Sequence, residues 1–168
     1  MKRFIPALAV AAALAVPTLA QARTPHLNLH YFGRDTAHGG QFTTPSGLPV
    51  APNKIQPGDE LFDSDALYLG NHRHHTRFPT AQAALNCFIL SIQTDTGAIN
   101  THCVGVIAFS NFNGAFIEAS HDEVFTQNSG PVDFPINHGT GVFAHARGNV
   151  HATSIPHSNN VDFTITIR

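Results

Sequence analysis

A histidine run, a scatter of acids and one cysteine pair are the residues of this sequence whose types and spacing suit chemistry. His72, His74 and His75 form an H-x-H-H run. On a strand, His72 and His74 would share a face, as a copper or zinc site requires. The other histidines are scattered and no Cys-x-x-Cys occurs, so solvated loop histidines and no bound metal are expected. Glu118, Asp122, Glu123 and Asp133 lie within one stretch. An acid facing an apolar pocket has a raised pKa and can move protons. Glu118 stands between Ile117 and Ala119 in a strand pattern, so one face would turn it inward. The alternative is the ordinary one, an outward and solvated side chain. G-x-S-x-G and P-loop patterns are absent, so serine-hydrolase and NTPase readings have no support.

Composition narrows the field. The chain has 168 residues, 42% hydrophobic, enough for one domain with a core. Charged residues make up 12%, about half the usual share. Lys+Arg number 9 against 11 Asp+Glu, which leaves no basic footprint for nucleic acid. Coiled coil, collagen and disordered chain are excluded.

Lys2 and Arg3, the apolar run Phe4 to Val16, and Ala20-Gln21-Ala22 have the order of a secretory signal peptide. Residues 1–22 are therefore expected to be removed. Residues 23–168 would form a single secreted or periplasmic domain, with no membrane contact after cleavage. An oxidising compartment lets Cys87 and Cys103 pair. Between them lies a hairpin pattern, Phe88 to Gln93, a turn at Thr94 to Gly97, then Ala98 to Asn100. If the loop centres on Asp95, the two cysteines stand directly opposite each other, at disulfide distance. Two buried free thiols are the alternative.

The period elsewhere is also two. Val161, Phe163, Ile165 and Ile167 alternate with Asp162, Thr164 and Thr166. Further strands are expected over Leu27–Tyr31, Leu61–Gly70, Ala81–Gln93, Cys103–Phe109, Ala115–Ser120, Glu123–Thr126 and Gly141–Ala152. Eight short strands and no convincing helix imply a sandwich or a closed barrel. The Pro- and Gly-rich stretch Gly33 to Gly58 would lie over one mouth of a barrel.

His138-Gly139-Thr140-Gly141-Val142-Phe143-Ala144-His145-Ala146-Arg147-Gly148 resembles the G-G-T-G-x-F-x-x-A-R-G signature of plant dirigent proteins, relatives of the allene oxide cyclases. Leu27 to Phe32 resembles their first strand, Ala81-Gln82-Ala83 their R-A-Q-G run, and Phe109 to Ile117 the strands before the signature. The resemblance spans about residues 27 to 168 and implies an all-β, eight-stranded antiparallel closed barrel. His138 stands where the signature has its first glycine. Asp35 is a shifted substitute for the histidine–aspartate pair that ends the family's first strand.

The resemblance implies a barrel that binds an apolar small molecule and directs its cyclisation or stereoselective coupling, without an organic cofactor. Arg147, on the signature, would approach the cavity and bind a carboxylate or phenolate; a structural ion pair is its alternative. Glu118, Tyr68 and Asp35 complete the candidate catalytic set. Tyr31, Phe88, Phe116 and Phe143 are the candidate ligand-binding residues. The family also suggests self-association. A lipocalin-like carrier and a filled structural barrel are the competing readings. Two or more ionisable groups converging in an open apolar cavity would favour catalysis.

Overall fold

The computed structural model describes residues 26–37, 40–126 and 130–168. The expected signal peptide and its cleavage point lie outside these residues. Eight long strands follow one another as a meander: β1 (Leu27–Asp35), β3 (Glu60–Asn71), β5 (Ala81–Ile92), β6 (Ile99–Phe109), β7 (Ala115–Phe125), β8 (Val132–Gly139), β9 (Gly148–Ser154) and β10 (Val161–Ile167). Two short strands, β2 (Gln41–Thr43) and β4 (His74–His75), add to β3. Closure comes from β1, which pairs antiparallel with β10 from Leu27↔Ile167 to Gly33↔Val161 and with β3 from Tyr31↔Leu69 to Asp35↔Asp65. The ring of strands is closed, although between β7 and β8 the pairing extends only from Ile117↔Gly139 to Ala119↔Ile136. The expected fold, an all-β barrel of eight antiparallel strands, is the one observed.

Three strands differ from those expected. Glu123–Thr126 is no separate strand, because β7 runs unbroken to Phe125. The eighth strand is β8, which Pro131 and Pro135 hide in the sequence. Its ladder to β7 stops at Ala119↔Ile136, beside Pro135, whose nitrogen has no hydrogen to donate. Residues 141–147 form a 3-10 turn and a short connection, so β9 begins at Gly148 and not at Gly141. Gly148 has φ +146°, and a Cβ there would come 1.8 Å from the Thr166 carbonyl oxygen. The signature thus places a glycine where β9 must approach β10 closely.

Alternation sorts side chains inward or outward along every strand. One end of the barrel is filled. Phe109, Phe112 and Phe143 meet there with ring centroids 5.1–5.8 Å apart, and Tyr31 packs on Phe109 at 6.0 Å. Leu67, Ala81 and Ala115 are buried around them. Farther along the axis, Cys87 and Cys103 are directly paired across β5 and β6 and joined by a disulfide. Both are fully buried. The expected pairing of the two cysteines is found, but the turn centres between Asp95 and Thr96, with Ile92 opposite Ile99, and an irregularity at Leu90 shifts the register by one residue to bring Cys87 opposite Cys103.

Candidate functional site

The other end of the barrel is hollow. A cavity of about 440 Å³ is walled mainly by apolar side chains, among them Phe42, Leu85, Ile107, Phe125, Phe134 and Phe163. That volume lies within the roughly 300–1,000 Å³ usual for small-molecule pockets. The segment after β1 contributes Gly40 and Phe42 to the wall, while Gly33 to Asp35, at the start of the Gly33–Gly58 stretch, belong to β1 itself. Ser158 and Asn159, both exposed, stand at the rim.

Two ionisable side chains interrupt the apolar wall. Asp63 and Asp65 project from β3 with the parity of Leu61 and Leu67. Asp35 faces Asp65 across the β1–β3 ladder. Asp65 is 7% exposed, and its Oδ1 has no hydrogen-bond partner. Burial raises its pKa to about 7, helped by the negative charges of Asp63 and Asp35. Burial likewise raises Asp63, and Asp35 adds to the effect. The Ser64 amide donates to Asp63 Oδ1 at 2.8 Å and counteracts part of the rise. Asp35 is fixed by its surroundings. Its Oδ1 accepts from the Ala37 amide at 2.7 Å, and its own amide donates to Asn160 Oδ1 at 3.2 Å. Together these groups form an acidic edge on a mainly apolar chamber.

Most of the residues singled out from sequence lie elsewhere. Arg147 is exposed, and its Nη1 donates to the carbonyls of Ala146 at 2.8 Å and Asn137 at 3.1 Å. It ties a turn together outside the cavity, because the signature is a turn at this point and not a barrel strand. Glu118 is outward, since its neighbours Ile117 and Ala119 occupy the inner face. Tyr68 is outward by the same parity and packs beside Phe32 and His75, at 6.0 and 5.3 Å. Phe88 is 42% exposed. Phe116 sits outside near His138. Tyr31 and Phe143 do point inward, but they plug the filled end. Only Asp35, of the candidate catalytic set, is beside the cavity's acids. Asp63 and Asp65 were not singled out, although their shared parity with Leu61 and Leu67 marks them as inward.

The histidine run lies in the exterior β3–β4 hairpin. His72 pairs with Asp162 through Nδ1, and His75 Nδ1 meets the Thr76 carbonyl at 2.8 Å. Among the described residues, no group of three or more His, Cys, Asp or Glu is arranged to hold a metal ion.

No family model matches the sequence, and no curated protein does. Solved structures do match. A pterocarpan synthase dirigent protein aligns with TM-score 0.59 at 19% identity, over 95% of this chain and 98% of its own. A second pterocarpan synthase dirigent protein gives 0.60 at 18%, over 85% and 94%. A pyocyanin demethylase gives 0.58 at 16%, over 84% and 100%. At such identities the likeness speaks to architecture, and the architecture of this chain is the eight-stranded barrel of the dirigent type.

Proposed function

We propose that this barrel binds a mainly apolar small molecule in its hollow end and directs its ring closure, or orients the coupling of radicals that a separate oxidase has generated from it. The observation that carries the reading is Asp65, a buried carboxyl with an unpartnered oxygen in the wall of a mainly apolar cavity. A carboxyl that titrates near neutrality both gives and takes protons at neutral pH. Confinement supplies a second part of the effect, because it removes conformational freedom before bonds form. In a ring closure the ligand keeps its composition. Asp65 protonates one ligand atom, and the neighbouring Asp63 accepts the proton released at another. Structures of two dirigent proteins with the same fold support the reading by analogy. The buried disulfide is compatible with the proposed export and cleavage after Ala22.

Native mass spectrometry of the protein after exposure to a metabolite extract, followed by chromatographic comparison of the released ligand with the starting compound, tests the proposal. A small-molecule adduct retained by Asp65→Asn, but converted to an isomer by the unsubstituted chain alone, is the expected result. A chain that carries no adduct from any extract overturns it. An adduct returned unchanged by both proteins favours the carrier reading.

A further inference from the structure

We infer that the occupant of the cavity carries a positive charge, as the protonated amine of a mainly apolar molecule would. The inference rests on the proposed cavity site and names the chemistry that the site selects.

Three observations lead to it. Among the described residues, the cavity wall contains Asp63 and Asp65 but no Lys, Arg or His. The groups facing Asp65 add no cation. Asp63 neighbours it on β3, Asp35 stands opposite on β1, and Ala83 stands opposite on β5. Arg34 pairs in register with Ala66, on the outer face, and is exposed. Asp65 Oδ1 is buried without a donor, a state that costs free energy unless a ligand supplies one. A neutral hydroxyl would satisfy that oxygen but leave the repulsion between the carboxylates. An ammonium group does both, by donating its protons and neutralising charge in a low-dielectric wall. A carboxylate ligand meets the opposite conditions, since it adds a third negative charge with no cation to receive it. This reverses the preference expected if Arg147 had reached the cavity.

The test uses three probes of one shape: naphthylmethylamine, naphthylmethanol and naphthoate. Each is titrated calorimetrically into the protein at about pH 8, where the amine is protonated and Asp65 is mostly ionised. The amine should bind about tenfold more tightly than the alcohol, and naphthoate should show no saturable binding. Asp65→Asn should bring the amine down to the alcohol's affinity while changing the alcohol by no more than about twofold. If that variant does not fold, Asp63→Asn carries the same comparison. Lowering the pH toward about 5 should also erode the amine's advantage, as Asp65 takes up its proton. Equal affinities for amine and alcohol, or tighter binding of naphthoate, overturn the inference and leave the cavity reading standing. Failure of all three to bind overturns both.

Discussion

At the residue scale the burial of Asp65 has a thermodynamic consequence. Its folded pKa of about 7 lies above the ordinary 3.8, so between those values the folded chain holds a proton that the unfolded chain has released. Stability from this group is therefore fully present below about pH 4 and falls as pH rises toward 7. Asp65→Asn removes the dependence. We expect the variant to be more stable than the parent by about 2–4 kcal/mol near pH 8, and equal to it near pH 4. Urea denaturation at the two pH values checks this; an unchanged difference would show that Asp65 is solvated. Arg147→Ala should lower the melting temperature slightly and leave probe affinity unchanged, because its guanidinium serves two carbonyls outside the cavity. The contrast shows what was legible. Asp63 and Asp65 stand out once Leu61 and Leu67 fix the inner face of β3. Arg147 is conspicuous through its place in a motif, and a motif that shapes a turn says little about what the turn faces.

At the element scale, alternation reveals most of the barrel. β10 is legible because branched and aromatic residues recur at every second position, and β5 and β6 because two largely apolar runs face each other across a turn signal at Thr94 to Gly97. β8 is hidden because proline is ordinarily read as a break, while here Pro135 sits where the ladder to β7 has ended. Two predictions belong to this scale. Gly148→Ala should destabilise by roughly 3 kcal/mol or more, since the new methyl overlaps the Thr166 carbonyl. Gly97→Ala, in a turn with nothing within 4 Å of the new carbon, should cost less. Matched denaturation curves separate them, and equal costs would mean that β9 and β10 are not closely apposed. The Cys87–Cys103 bond closes a loop with sequence separation 16, so replacing both residues by serine should cost about 2–4 kcal/mol. Two thiols that alkylate in native, unreduced protein would show that the bond is absent.

At the scale of the whole molecule, the barrel divides its interior between two tasks. The closed ladder of eight strands holds the wall, so side chains need not fill the lumen along its whole length. The filled end concentrates aromatic packing in Phe109, Phe112, Phe143 and Tyr31. The hollow end leaves Phe125 and Phe163 facing open space. Removing a ring should therefore have opposite consequences at the two ends. Phe109 is fully buried among three other rings, and Phe109→Ala leaves a void that the ladder prevents from collapsing. Its cost should be about 3–5 kcal/mol, with naphthyl-probe affinity per folded molecule unchanged. Phe125 is half-buried and already lacks partner atoms on its cavity side. Phe125→Ala should cost about 1 kcal/mol or less and weaken the probe instead, because the wall loses contact area. Denaturation and titration of both variants decide the matter. If each lost stability and affinity together, the interior would be one continuous core, and the hollow end would have no separate role.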